Sequence, residues 1–412
     1  MSEYDLIVVG GGISGLSFAR RGALQGWRTL LLEADQRFGG CLATQRYTGA
    51  AEGYWTELAA HTAYNSYGAL LELLDANQLG RLQPRHKLPW RVWDGARLQS
   101  VFARLHWPSL LPALPRLLFT PKQGLDLRAY YGRVMGRRTY DSLLRHAFSA
   151  VLAQPADAFP ADLLFRKKPR RQDVPRSYTL NGGLLGLAEM LAATPGHEAK
   201  AGVAVECIQR EGEAFRVHAG AASWRCRHLA LAVPAWEAAR LLEGEYPELA
   251  RYLQQIAPAE VESLAVVVAR DSIGLPELAG AIGIDQDFYS VVSRDVVPDA
   301  RLRGFTFHFR PGRLDRAGKL ARIAAFLGAP PEAIVASAER CNRLPALKAG
   351  HLAWVSAVDR LLSGERLALI GNYFYGVSIG DCAERAKAEF ERLKQRTVSA
   401  TTSPSPSGRG QG

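Results

Sequence analysis

The spacing of apolar residues changes twice within the first 33 positions. Leu6-Ile7-Val8-Val9 is wholly apolar, the composition of a strand buried on both faces. Three spaced glycines follow, Gly10, Gly12 and Gly15, and then apolar residues at helical spacing through Leu16, Phe18 and Ala19. A second apolar run, Thr29-Leu30-Leu31-Leu32, ends on Glu33. The pattern predicts a buried parallel strand, a tight turn, a helix and a second strand, which is the opening of an α/β sheet.

That turn has the spacing of a dinucleotide site. Gly10 makes the turn, Gly12 lets the backbone approach a pyrophosphate, and Gly15 lets the helix pack closely on the strand. Ile13 and Ser14 lie between them, where free N–H groups and the helix dipole favour phosphate. Glu33, followed by Ala34, stands where an acidic residue holds the ribose hydroxyls, and its charge repels a 2′-phosphate. A glycine-rich turn without a ligand is the alternative reading, and the flanking strand, helix and acid speak against it.

Further along, Leu105 to Phe119 combines apolar bulk with prolines that break regular helix. It suits a lid, a channel wall or a lipid-facing patch, with 104–121 as its outer limits, or else leucines that close a helical domain. The basic run Arg166-Lys167-Lys168-Pro169-Arg170-Arg171 reads as a solvated loop or as an anchor on anionic headgroups. A helix is expected over Leu185 to Ala193, and strands over Gly202 to Ile208, Phe215 to His218 and His228 to Val233. Leu264 to Val268 and Gly304 to Phe309 read as strands of a second sheet, followed by helical segments up to Cys341. Leu367 to Ile370 reads as a strand that meets a glycine loop and then a helix from Asp381 to Lys394. The Ser/Thr/Pro/Gly-rich stretch 397–412 is expected to be disordered.

Bulk composition narrows the choices. A chain of 412 residues exceeds one ordinary core, so two domains are expected. A net charge of +11 suits an acidic small molecule or anionic lipid, and no nucleic-acid module accompanies it. Five scattered cysteines without a Cys-x-x-Cys pair point to a reducing compartment and no metal site. Neither a basic leader nor an apolar span of the roughly 20 residues needed to cross a bilayer is expected from the sequence. A cytoplasmic protein with at most peripheral membrane contact is the expectation; the residues leave oligomeric state open.

Three further segments add a resemblance. Arg37-Phe38-Gly39-Gly40 resembles the Arg-x-Gly-Gly segment of the flavoenzyme superfamily that includes flavin amine oxidases, carotenoid desaturases and protoporphyrinogen oxidases. The resemblance implies FAD, held non-covalently, with Arg37, Gly39 and Gly40 near its pyrophosphate and flavin. By the same likeness Val205 lies against the adenine; the alternative is an ordinary strand valine. The closing stretch Gly371-Asn372-Tyr373-Phe374-Tyr375-Gly376-Val377-Ser378-Ile379-Gly380-Asp381-Cys382 resembles the C-terminal motif of oxygen-dependent-type protoporphyrinogen oxidases. It implies that Gly371, Asn372, Val377, Ser378 and Ile379 border the isoalloxazine, beside the positive end of the following helix. Leu88 to Gly95 resembles the segment whose arginine faces a substrate propionate, which makes Arg91 the substrate-binding candidate; a surface arginine on a hairpin is the alternative. Glu57 and His61 receive no role, and no catalytic side chain is named.

The implied fold is α/β: a Rossmann-like FAD-binding domain from 1–80, 177–250 and 345–396, with an inserted α+β substrate-binding domain from 81–176 and 251–344. The implied activity is hydride removal from an anionic tetrapyrrole such as protoporphyrinogen IX. Two other readings stay open. One is an FAD-dependent oxidase or desaturase of an amine, isoprenoid or secondary metabolite, and the other is a non-catalytic paralogue that binds FAD or a tetrapyrrole.

Overall fold

The computed structural model describes residues 3–402. Glu3–Val9 and Thr29–Leu32 are adjacent parallel strands joined by helix Ile13–Leu24, as the opening pattern requires. His197–Lys200 extends this sheet on one side and Ala222–Leu231 on the other, both in parallel. The outer edge of Ala222–Leu231 is shared. Its first residues pair antiparallel with Ala214–Ala219, and its last three pair parallel with Leu367–Leu369 from near the C-terminus.

The pleat sends Leu6 and Val8 into one apolar cluster and Ile7 and Val9 into another, so both faces of the first strand are covered. Helix Ile379–Thr402 packs against helix Ile13–Leu24, where Phe18 meets the edge of Phe390 with ring centroids 5.4 Å apart. The two chain ends therefore share one core. Burying each such side chain contributes about 1.5–3 kcal/mol.

The second sheet runs Ile334–Ala346, Ala257–Ala269, Leu302–Phe309, Phe288–Ser293, Gly280–Gly283, Trp90–Trp93, Leu98–Ser100. Every residue of Leu302–Phe309 is buried, because both of its faces are covered. Phe305, Phe307 and Phe309 pack with Ile323 and Phe326 of helix Arg316–Leu327. Gly304, Thr306 and His308 face the other way, towards residues 54–61. A Cβ on Gly304 would fall 2.9 Å from Tyr54, and the Thr306 hydroxyl donates to the Glu57 carbonyl at 2.8 Å.

Several expectations are corrected. Cys341 is not in a helical region: Ile334–Ala346 is a 13-residue strand paired along Ala257–Ala269. Its polar residues hide the pattern because each finds a partner there, as Glu339 does with the buried Lys319. The strand expected from Gly202 begins at Cys207, since 202–203 are held instead by backbone bonds to Asp35 and Glu33. The final helix continues through 397–402, where disorder was expected, because elongating an existing helix costs little. Residues 403–412 lie outside the described ones.

The prolines do break 105–119 into short turns, Trp107–Leu110 and Leu114–Leu118. Most of its large apolar residues point outward rather than closing a core, with Leu118 81% and Phe119 83% exposed. Lys168 is neither solvated nor free for lipid, for it is ion-paired to Asp381 at 2.6 Å and Glu384 at 3.0 Å. Among the described residues no helix is long and apolar enough to cross a membrane.

Glu57, on the strand Trp55–Glu57, joins distant segments. Its carboxyl accepts from the Leu184 N–H at 2.6 Å and from the Thr44 hydroxyl at 2.7 Å. Burial pushes it up from 4.5 to about 7, against the pull of those hydrogen bonds and of Arg85 and Arg46. The folded value lies above the unfolded one, so the stabilisation from its protonation is complete below pH 4.5 and is lost as pH rises through about 7. Glu57→Gln removes this dependence. Urea unfolding across that window should show wild type losing on the order of 3 kcal/mol relative to the variant, and parallel pH curves would contradict the assignment.

Candidate functional site

The first turn has little spare space. Gly10 has φ +105° and donates its N–H to Leu32 at 2.8 Å; a Cβ there would sit 2.7 Å from the Ala232 carbonyl. A Cβ on Gly15 would lie 1.9 Å from the Gly10 carbonyl oxygen, so the helix can approach the strand only without a side chain. Gly12 differs. An added Cβ meets nothing nearer than Gly40 at 3.9 Å and would fill the open cradle over the helix N-terminus. Ile13 and Ser14 begin the helix, and the Ser14 hydroxyl is bonded to the Cys382 thiol, leaving its backbone N–H at the helix end.

Glu33 leaves the second strand at the same mouth. Its carboxylate accepts from the Gly11 N–H at 2.5 Å and the Asp35 N–H at 2.8 Å. Ala34 follows it, and Gly202 and Val203 bond back to Asp35 and Glu33, which carries Val205 to this end of the sheet. Val205 is buried, and its carbonyl accepts from Arg240 at 3.3 Å.

Gly39 bonds to the Gly11 carbonyl at 2.8 Å, so the paired glycines lie directly on the first turn. Arg37 and Arg340 both donate to the Gly40 carbonyl, each at 3.2 Å. Arg37 also holds the Leu42 carbonyl at 2.9 Å. Burial lowers the Arg37 pKa, and the charge of Arg340 lowers it further. Two guanidiniums on one carbonyl make a strongly positive spot beside an open glycine cradle, which suits a pyrophosphate. Cys41 is exposed although protein crowds its thiol, as at the wall of a cleft, and burial pushes its pKa up against those two arginines. Sequence reasoning missed Arg340, which arrives from the other sheet.

The closing loop reaches the same place. Ile370 bonds to the Leu231 carbonyl at 3.0 Å, one residue before the Ala232 that confines Gly10 and Gly15. Gly371 and the half-buried Asn372 continue from it, and Val377, Ser378 and Ile379 lead into the final helix. Ser378 and Asp381 cap that helix reciprocally: the Ser378 hydroxyl donates to Asp381 at 2.6 Å and accepts its N–H at 3.1 Å. The helix end, expected to present bare positive charge, thus already carries a carboxylate shared with Lys168.

A small cavity lies between Trp55–Glu57 and the second sheet. Its walls include Glu57, His61, Arg85, Arg294 and Thr306, and it leaves room for about 20 Å³, roughly one water. Arg85 is half-buried, desolvation lowers its pKa, and it donates to the Thr62 hydroxyl. Arg294 lies over Tyr54 and Trp55 at 4.1 and 4.5 Å. His61 and His308 meet nitrogen to nitrogen at 2.9 Å. Arg91 is not among the wall residues; it lies on Trp90–Trp93, one strand in from the outer edge of the second sheet. Arg85 and Arg294 carried no motif. His308, a lone imidazole inside the run Phe305 to Phe309, was the available signal. Among the described residues no cluster able to hold a metal ion occurs.

Comparison with known proteins fits this geometry. Residues 8–76 match the NAD(P)-binding Rossmann-like domain family. A 47-residue stretch is 55% identical to nicotine dehydrogenase of Pseudomonas putida (strain DSM 28022 / S16), covering 11% of this chain and only 10% of that protein. Coproporphyrinogen III oxidase of Propionibacterium freudenreichii subsp. freudenreichii is 23% identical over 98% of this chain and 93% of its own length. The proposed protoporphyrinogen oxidase of Exiguobacterium sp. 255-15 superposes with a TM-score of 0.77 at 20% identity, covering 96% of this chain and 99% of that one. Cyclohexylamine oxidase from Brevibacterium oxydans IH-35A gives 0.72 at 14% identity, covering 97% and 100%. The chain thus carries an N-terminal NAD(P)-binding Rossmann-like domain and has the α/β fold shared by protoporphyrinogen oxidase-like and amine oxidase structures.

Proposed function

We propose that this chain is an FAD-dependent oxidoreductase that removes hydrides from a carboxylate-bearing substrate, with an anionic tetrapyrrole such as protoporphyrinogen IX as the leading candidate. The observation that carries this reading is the pair of arginines, Arg85 and Arg294, in the wall of the cavity between Trp55–Glu57 and the second sheet. The full-length likeness to coproporphyrinogen III oxidase supports the substrate class. Bound FAD supplies the two-electron acceptor. The backbones of Gly10 to Gly15, with Arg37, Gly39 and Gly40, would hold its pyrophosphate, Glu33 its ribose, Val205 its adenine, and Gly371 to Ile379 its ring. Residues 81–176 and 251–344 would then form the substrate side.

The cavity admits one water and not a macrocycle, so the bulk of the substrate would lie outside it with only its reacting edge inside. That size also favours a second reading, a smaller substrate on the same fold, as in cyclohexylamine oxidase. Charge weighs against an amine: Glu57, held up at about 7, is a poor counter-ion for an ammonium beside two guanidiniums. A carrier that binds without turnover is the third.

We also propose that the apolar face of residues 102–119 rests on a bilayer containing anionic lipid. Phe102 and Trp107 are 72% and 52% exposed, and Leu111, Leu117, Leu118 and Phe119 also face outward. The exposed Arg116 lies within this segment, where its charge complements acidic headgroups.

Anaerobic mixing of the FAD-loaded protein with protoporphyrinogen IX or coproporphyrinogen III should bleach the flavin absorbance. Flavin that stays oxidised with both sinks the tetrapyrrole assignment. Gly12→Val should weaken FAD binding at least about 100-fold while leaving far-UV circular dichroism unchanged, since the new side chain fills the cradle and no packed core. Unaltered FAD affinity would contradict the placement. The protein should sediment with vesicles containing phosphatidylglycerol and not with pure phosphatidylcholine, and Leu118→Ser with Phe119→Ser should abolish it; equal sedimentation of the variant would refute the lipid contact.

A further inference from the structure

We propose that a cleft between helix Arg145–Leu152 and the second sheet binds a small oxyanion carrying two or more negative charges. It shares no wall residue with the dinucleotide turn or with the cavity beside Glu57. The site is therefore separate from the proposed oxidoreductase chemistry and stands whether or not that reading holds.

One wall is the turn that joins Gly280–Gly283 to Phe288–Ser293, together with residues just past Leu302–Phe309. The other is helix Arg145–Leu152 with Pro155 to Asp157. Leu143, Ile282 and Ile284 belong to one apolar cluster, which joins the two walls. Between them the cleft measures about 360 Å³, within the range of roughly 300–1,000 Å³ that small-molecule sites occupy.

The charges in it do not balance. Asp157 is neutralised by Arg145 at 3.1 Å and Arg128 at 4.0 Å, and it accepts from the Tyr140 hydroxyl at 2.8 Å. Asp287 is paired with Arg322 at 3.0 Å. Arg310 lies 4.4 Å from the centre of the Tyr289 ring and donates through Nε to the Gln286 carbonyl at 3.0 Å. Neither Arg310 nor the exposed Arg313 is ion-paired to a described residue, and Asp285 faces no guanidinium partner. Wall residues and their ion-pair partners thus set five guanidiniums against three carboxylates, an excess of two positive charges.

A buried group without a bond points the same way. His146 faces the cleft and is only 8% exposed, yet its ring makes no hydrogen bond. The nearest carboxylate oxygen, on Asp285, stands 3.7 Å from Nε2, beyond hydrogen-bond reach. Burial lowers the His146 pKa and Arg145 and Arg310 add to the shift, against the pull of Asp285 and Asp157, so the ring is neutral at physiological pH and carries one N–H. Leaving that donor unmet in a buried position is costly, and a ligand oxygen would meet it. The Ser149 hydroxyl accepts from the Ala156 N–H at 3.2 Å and keeps its own hydrogen to donate. Two unpaired guanidiniums, an imidazole N–H and a hydroxyl are all donors, the set that phosphate or carboxylate oxygens require. A cationic ligand would meet the excess of like charge.

The test is calorimetric titration of the FAD-saturated protein with pyrophosphate and, separately, with citrate. Salt at about 150 mM screens diffuse surface attraction beyond about 8 Å. At least one of the two should bind saturably, one ion per chain; pyrophosphate alone identifies a phosphate ligand and citrate alone a carboxylate. Arg310→Ala and Arg313→Ala should each weaken binding by about tenfold or more, the worth of a hydrogen bond to a charged group. Arg313 is exposed and makes no ion pair, so its loss leaves the fold intact. In protein labelled with 15N at histidine, the His146 ring signals should shift as the ion is added. Saturable binding of neither ion, binding that is equal in Arg313→Ala, or an unmoved His146 ring at saturation would overturn the site.

Discussion

The structure depends on one close approach. Gly15 allows helix Ile13–Leu24 to press on the Gly10 carbonyl, and Gly10 allows the turn to press on Ala232. With those contacts made, the end of Ala222–Leu231 lies against the first turn, and Leu367–Leu369 pairs along its far edge. The final helix can then lie on the first, with Phe390 on Phe18. Segments from opposite ends of the chain converge on one point because three backbones fit where side chains would not.

The second constraint is the two-sided strand Leu302–Phe309. Its phenylalanines close the core beneath helix Arg316–Leu327, and that rigid packing fixes Gly304, Thr306 and His308 on the reverse face. The neighbouring strands obey the same pleat. Ser263 and Asn342 appear on the face of His308, while Arg340 reaches the Gly40 carbonyl. The sheet thus supplies polar groups to the glycine turn and the cavity from residues scattered across the sequence. Burying them is tolerable because most are hydrogen-bonded.

What was legible in the sequence was local. Gly10, Gly12 and Gly15 with Glu33 announce their structure by spacing, and the closing loop by its run of glycine, serine and apolar residues. What was not legible depends on pairing between distant strands. Arg340 and Asn342 lie in a strand whose alternation is blurred by ion pairs, and Arg85 lies in a loop with no motif. Arg91 stands on a strand whose position in the sheet only tertiary pairing sets. The helix end expected to present positive charge is capped by Asp381, although Ser378 and Asp381 have the spacing of a capping box.

The proposed function requires a flavin dinucleotide held where the two chain ends meet. The most direct test is to denature the purified protein and identify and count the nucleotide released. One FAD per chain is expected, freed without covalent linkage to the polypeptide. A protein that releases no nucleotide and takes up none when FAD is supplied, or that releases NADP instead, would contradict it.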